Sequence, residues 1–345
     1  MVGSYRFGAF LPLGMPSAHT INTGGRKHII KKKRIMTMSA AIIALLAIII
    51  ISASFYFYNV AIARADKAFL NGNPDLEANS NIDNPFADSK DWWAKQSFEE
   101  WSLTSDDGLK LHAYYIPAEV PTDKTVLIAH GYSGHSEQMS GFAQMYHEDL
   151  GYNVLLPDAR GHGKSEGDYI GFGWPERMDY LRWIERVIRH TGEDAQIVLH
   201  GVSMGGATVM MTSGEELPPQ VKAIVEDCGY TSVTDELTYQ LKRMYKLPSF
   251  PLVQSTSLLT KIRAGYSFGE ASALEQVKKS KTPTLFIHGG GDLFVPTEMV
   301  YELYENGPEQ KKLFIVPDAG HGLARQFDPE GYDREVKEFI GTYVQ

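Results

Sequence analysis

The stretch Gln196-Ile197-Val198-Leu199-His200-Gly201-Val202-Ser203-Met204-Gly205-Gly206-Ala207 decides the fold. It opens on an apolar, β-branched run of strand length, and Ala207 to Met211 is a good helix start, so Gly201-Val202-Ser203-Met204-Gly205 reads as a strand-to-helix turn. In a turn this sharp, side chains two positions either side of the serine would collide with neighbouring backbone, and glycine at 201 and 205 removes them. The turn lifts the Ser203 hydroxyl out of the sheet and aims the amide dipoles of a helix N-terminus at whatever the hydroxyl attacks. Ser203 is therefore a candidate nucleophile. The competing reading is a glycine-rich turn with an incidental serine.

Outward from that turn, short apolar runs alternate with helical patterns, the signature of a mostly parallel sheet covered by helices. Phe98 to Leu103 and Leu109 to Ile116 flank Asp106-Asp107-Gly108 and predict an antiparallel hairpin. Thr125 to Ala129, Asn153 to Pro157, Gln196 to His200, Val221 to Glu226, Thr284 to His288 and Lys312 to Val316 are the expected buried strands. Glu176 to His190 carries Met178, Leu181, Ile184, Val187 and Ile188 at helical spacing, and Pro296 to Asn306 and Arg334 to Tyr343 look similar.

A serine hydroxyl needs a base to take its proton, and the base needs an acid to hold its tautomer. The partners are sought downstream, acid before histidine, the order found where a strand-turn-helix serine of this kind resembles a nucleophile elbow. Only His288 and His321 follow Ser203. His288 closes an apolar strand and reads as structural. His321, in Pro317-Asp318-Ala319-Gly320-His321-Gly322, follows the last strand on a small-residue loop and is the candidate base. Asp292, in the loop after the penultimate strand and preceded by three glycines, is the candidate acid. Asp227 is the runner-up, and Asp318 reads as a solvated turn residue. Two backbone N–H groups must meet the developing negative charge. Met204, next to the nucleophile, and Tyr132, in the loop after Thr125 to Ala129, are the candidates, with His130 a structural ring in that loop.

Taken together, His130-Gly131, Asp158-Ala159-Arg160-Gly161-His162-Gly163-Lys164-Ser165, the Ser203 turn, the Asp292 loop and Gly320-His321-Gly322 resemble the α/β-hydrolase superfamily. Within it the chain is similar to the bacterial branch of prolyl oligopeptidase-like serine hydrolases and small esterases, over about residues 98 to 345. The resemblance implies an α/β-hydrolase fold and hydrolysis of an acyl bond through an acyl-serine, with no cofactor and no metal. It gives Arg160 and His162 a buttressing role. Family members commonly build a cap between the strands ending near Glu226 and starting near Thr284, here about residues 231 to 279. Ser232 with Asp235 reads as a helix start, Val233, Leu237, Leu241, Met244 and Tyr245 form one apolar stripe, and Leu247 to Leu252 breaks it. A helix simply packed on the sheet is the plainer reading of that stripe.

The N-terminal part is different in kind. No charged residue occurs between Arg34 and Arg64, and Ala40 to Val60 is almost wholly apolar, long enough at about 21 residues to cross a bilayer. Phe55 to Tyr58 supply an aromatic belt at one end and Arg26 to Arg34 a basic cluster at the other. The expected organisation is a basic cytoplasmic tail over 1–35, a transmembrane signal anchor over 36–62, a linker over 63–97 and a catalytic domain outside the cell membrane. The alternative is secretion after cleavage near Ala63-Arg64-Ala65.

Composition narrows the function classes. Of 345 residues 43% are hydrophobic and 22% charged, which predicts an ordered core. Residues 1–34 hold seven bases and no acid, and removing them from the formal charge of −9 leaves the remainder at −16. So acidic a domain lacks the basic face that phosphate neutralisation demands, so nucleic acid is not an expected partner. Cys228 is the one cysteine and forms no internal disulfide. The expected substrate is a small ester or amide, with ester cleavage leading, a prolyl oligopeptidase-like peptidase or aminoacyl hydrolase second, and a non-catalytic binding protein third.

Overall fold

The computed structural model describes residues 1–4, 8, 23–70, 72–73, 75–76 and 88–345, and the chain divides into two compact units, Met1–Ile49 and Ile50–Gln345. In the second unit, β1 (Glu99–Thr104), β2 (Lys110–Ile116), β3 (Lys124–Ala129), β4 (Asn153–Pro157), β5 (Gln196–Val202), β6 (Val221–Asp227), β7 (Thr284–Gly289) and β8 (Lys311–Val316) form one sheet. Its order is β1-β2-β4-β3-β5-β6-β7-β8. β2 pairs antiparallel with β1 and β4, and every other pairing is parallel. The strands lie where the apolar runs predict them, differing by a residue or two at their ends.

Helices cover both faces, which is why the strands read as continuous apolar runs rather than alternating ones. In β3, Val126 and Ile128 face one core while Leu127 and Ala129 face the other. β5 divides in the same way, with Val198 on one side and Ile197 and Leu199 on the other. The helix Glu176–Thr191 lays Trp183, Ile184 and Val187 on one face, and Pro329–Tyr343 lays Tyr332, Val336 and Ile340 on the opposite one. Between β6 and β7 stand three helices, Val233–Tyr245, Leu252–Ala264 and Ala273–Val277. The first starts where the sequence indicates, with Ser232 Oγ accepting from the Asp235 N–H at 3.0 Å.

Two N-terminal features differ from the expected linker over 63–97. Residues 71, 74 and 77–87 of that segment lie outside the described residues. On its C-terminal side Ser89–Lys95 is a helix that buries Trp92 and Trp93 against the sheet, because two adjacent indoles carry too much apolar surface to leave in water. On its N-terminal side Ala63 bridges to Tyr169, and the Arg64 guanidinium donates to the carbonyls of Gly163, Ser165 and Gly167. Both ends are parts of the second unit. The apolar run itself forms the helix Thr23–Phe57, continued by a wider turn over Tyr58–Ile62. Lys31–Ile62, with a mean hydropathy of 2.7, is the one helical stretch among the described residues long and apolar enough to cross a membrane.

Candidate active site

β5 delivers Ser203 into the left-handed region, at φ 59° and ψ −118°, and the helix Met204–Ser213 follows at once. A β-carbon on Gly201 would stand 2.1 Å from the Gly205 carbonyl oxygen, and one on Gly205 would stand 2.0 Å from that of Ala129. Ala129 is held in the β3–β5 ladder opposite Gly201, so its carbonyl cannot retreat without breaking strand pairing. Gly205→Ala should therefore destabilise the protein by at least about 3 kcal/mol, the upper end of ordinary overpacking. Thermal denaturation of the full chain reads this, and an unchanged melting temperature would show that the turn has more room than its geometry allows.

The Ser203 Oγ lies 2.7 Å from His321 Nε2, and His321 Nδ1 lies 2.8 Å from Asp292 Oδ2. The loop after β8 carries the imidazole and the loop after β7 carries the carboxylate, so three distant segments meet above the C-terminal edge of the sheet. Asp292 is fixed by its other oxygen, which accepts the N–H groups of Phe294 and Val295 at 2.8 and 2.9 Å. Burial alone would raise its pKa, but His321 and His288 outweigh burial and hold the carboxyl well below the usual carboxylate range. Asp227, the runner-up acid, is turned elsewhere and accepts from the Tyr332 hydroxyl at 3.0 Å. Burial pushes Asp227 up to about 6.

His288 does more than end its strand. Its Nε2 lies 2.9 Å from the Val295 carbonyl oxygen and 3.3 Å from Asp292 Oδ2, so it braces the same carboxylate oxygen that His321 meets. A histidine ending a buried strand ahead of the acid loop was its only signal in sequence, and that pattern equally suits a packing ring.

The loop after β3 approaches the serine from the other side. A β-carbon on Gly131 would lie 3.5 Å from Ser203 Cβ, so the next residue, Tyr132, stands at the nucleophile. Met204 opens its helix, and its N–H is one of the first-turn donors that no helical carbonyl accepts. Three contacts pin Tyr132. Its hydroxyl donates to the Ala61 carbonyl at 2.6 Å, its own carbonyl lies 2.7 Å from His162 Nε2, and Lys67 Nζ sits 5.3 Å from its ring centre. Burial lowers Lys67 to about 8. His130 Nε2 accepts the Ala159 N–H at 3.0 Å, and burial, reinforced by His162, lowers this ring to about 3. Arg160 makes paired contacts to Asp179 and Asp107, the buttressing role the resemblance implies.

Beside Ser203 lies a cavity of about 110 Å³ whose wall includes Phe57, Ala61, Leu237, Leu241, Val253 and Phe294. Residues 57–61 were not legible as a pocket wall in the sequence, because an unbroken apolar run gives the same signal whether lipid or substrate covers it. The polar groups of that wall include Glu236 and Gln240. The Gln240 amide donates to Glu236 Oε1 at 2.8 Å, while Glu236 Oε2 is buried without a partner. Burial, with the Asp292 charge adding to it, pushes Glu236 up to about 8, so its carboxyl is neutral at pH 7 and tolerates apolar neighbours. Above pH 8 the carboxyl ionises, and KM for an apolar acyl chain should rise through that pH. Glu236→Gln should flatten the rise, and a wild-type KM constant from pH 6 to 9 would contradict the assignment.

Cys228, Asp292 and His321 are the one His/Cys/Asp/Glu grouping among the described residues close enough to share a metal ion. The donor set fits an ion poorly. Both imidazole nitrogens already face Ser203 and Asp292, and burial, together with the nearby carboxylates, holds the Cys228 thiol well above its usual range, away from the thiolate a metal needs.

Comparisons with known proteins agree with the fold. A family model described as serine aminopeptidase, S33, matches residues 120–256. The uncharacterized protein YqkD of Bacillus subtilis is 30% identical over 250 residues, 71% of this chain and 81% of that protein. The Saccharomyces cerevisiae membrane protein YNL320W is 26% identical over 249 residues, covering 70% and 79% of the two chains. The solved structure of the Pyrococcus furiosus esterase Pf2001 superposes with a TM-score of 0.59 at 25% identity, over 72% of this chain and 94% of that one. The chain belongs to the α/β-hydrolase superfamily and is a hydrolase.

Proposed function

We propose that this hydrolase is a serine esterase that cleaves carboxylic esters of small or medium acyl chains, with Ser203 as nucleophile, His321 as base and Asp292 as the acid that orients it. The observation that carries the reading is the continuous chain of short contacts from Ser203 Oγ through His321 to Asp292, opening on an apolar cavity. As Ser203 Oγ attacks the ester carbonyl carbon, His321 Nε2 takes the hydroxyl proton, and the Tyr132 and Met204 N–H groups receive the oxyanion. Collapse of the adduct expels the alkoxide, which leaves as the alcohol with the proton returned by His321. Water then attacks the acyl-serine with His321 again as base, releasing the acid and restoring the serine hydroxyl.

The similarity to an esterase and an apolar wall with a neutral Glu236 favour esters over aminoacyl substrates. The family model's description as an aminopeptidase keeps the second reading in play. A panel of p-nitrophenyl esters and aminoacyl anilides separates the two. Esters should exceed anilides in kcat/KM by about a hundredfold or more, equivalent to about 2.7 kcal/mol of transition-state binding. The reverse order would make the enzyme an aminoacyl hydrolase.

The apolar helix is read as a membrane anchor, with Arg26 to Arg34 on the cytoplasmic side and the catalytic unit outside. Retention of the segment rather than cleavage is favoured by the way Phe57, Val60 and Ala61 line the cavity while Ala61 and Arg64 hold the Tyr132 and 163–167 loops. Protease added to intact cells should digest the catalytic unit, and full protection would reverse the topology.

A further inference from the structure

The helices between β6 and β7 carry a surface that the esterase reading does not use. Phe250 is 73% exposed, Leu258 64%, Ile262 74% and Leu247 38%. These are large apolar side chains, and such patches on soluble proteins mark a binding surface. Leu258 and Ile262 lie three and seven residues after Ser255, along one side of the helix Leu252–Ala264. That side meets the end of the apolar N-terminal helix, where Ser54 Oγ and Ser255 Oγ are 2.7 Å apart. Exposed Tyr56 packs edge-on against Tyr245, which lines the cavity, and Phe57 lines the cavity itself. Within the unit Ile50–Gln345, the helix Leu252–Ala264 therefore carries the exposed Leu258 and Ile262, contributes Val253 and Thr256 to the cavity wall, and touches residue 54 of the apolar helix.

Charge points to the same occupant. No acid occurs from Leu237 to Gly269, while Lys242, Arg243, Lys246, Lys261 and Arg263 all fall there. Arg243 pairs with Asp75, Lys261 with Glu270, and the Arg263 guanidinium lies 4.7 Å from the Tyr58 ring centre, which leaves Lys242 and Lys246 as the exposed cations beside Leu247 and Phe250. A basic, apolar surface within a domain of net charge near −16 is the composition of a segment that lies in the headgroup layer of anionic lipid.

We propose that the catalytic unit rests on the bilayer through the 247–262 surface and that its cavity takes the acyl chain of an ester resident in that bilayer. The loading step rests on the Ser203 reading, whereas the resting surface does not. With the surface immersed, an acyl chain reaches the apolar wall at Phe57 and Tyr245 without crossing water, which removes the desolvation barrier a lipid would otherwise meet.

The test uses the full chain in nanodiscs of phosphatidylcholine and phosphatidylglycerol, four to one. Because Cys228 is buried, Leu258→Cys supplies one accessible thiol for a spin label. The label should be relaxed more by oxygen than by a water-soluble nickel chelate. Relaxation mainly by nickel would place the surface in water, and dipolar broadening would assign it to a second copy, and either result overturns the proposal. In parallel, Leu258→Glu with Ile262→Glu should lower kcat/KM for a medium-chain glyceride held in the nanodisc by about tenfold, equal to about 1.4 kcal/mol, while p-nitrophenyl acetate hydrolysis stays within about twofold. Equal losses on both esters, or none on the glyceride, would overturn the loading step. A wild type that cleaves the soluble ester but not the glyceride overturns the inference and leaves the Ser203 chemistry standing, whereas one silent on both removes that chemistry and the loading step together.

Discussion

Replacing Ser203 by alanine should lower kcat for p-nitrophenyl butyrate by about a millionfold while leaving the fold intact. The loss is that large because no hydroxyl remains within reach of His321, 2.7 Å away in the native protein, and no acyl-serine can form. The fold survives because the serine makes no structural side-chain contact beyond that hydrogen bond. Its backbone is the strained part, since φ of 59° with ψ of −118° suits glycine and few other residues. Alanine keeps that strain and glycine releases it. Ser203→Gly should therefore be as inactive as Ser203→Ala yet more stable by about 1–3 kcal/mol, which differential scanning calorimetry resolves. Equal melting temperatures for the two variants would show that the turn is not strained.

Asp292→Asn should lower kcat by about ten-thousandfold, and the hydrogen bonds around the carboxylate explain why. The N–H groups of Phe294 and Val295 both donate to Oδ1, so an asparagine must keep its carbonyl oxygen there and turn its amide nitrogen to the Oδ2 position. That nitrogen faces His321 Nδ1 as a donor. The imidazole is then driven to the tautomer with its proton on Nε2, aimed at Ser203, where a proton acceptor is required. The amide would also meet His288 Nε2, which contacts the same oxygen, so a small fall in melting temperature should accompany the loss. Asp227→Asn is the control. Its carboxyl accepts from Tyr332, and the His321 Nδ1 proton goes to Asp292 instead, so turnover should remain within about tenfold of wild type, under 1.4 kcal/mol. A large loss confined to Asp227→Asn would move the acid to that position.

The sheet and the three side chains above it were legible because each is marked by local chemistry. Two glycines flank Ser203 for a steric reason, three precede Asp292, and His321 sits between Gly320 and Gly322, so the sequence shows where the backbone must turn tightly under a reactive group. What stayed hidden depends on long-range contact. Glu236 lies on the helix Val233–Tyr245 where an acid would ordinarily face water, and only the packing of that helix over the nucleophile turns it into a neutral group in a pocket. His288 becomes a brace for Asp292 only once the loop after β7 folds back on its own strand. The helix Ser89–Lys95 was not legible, because two apolar residues, Trp92 and Trp93, carry no periodicity of their own in a segment otherwise rich in Asn, Asp and Pro.

The most direct test of the central claim is to label the full-length protein with a fluorophosphonate and map the adduct by peptide mass spectrometry. The account predicts one adduct, on Ser203, lost in Ser203→Ala and slowed strongly in Asp292→Asn. An adduct on another residue, or ester hydrolysis that continues at full rate in a protein whose Ser203 is blocked, would contradict it.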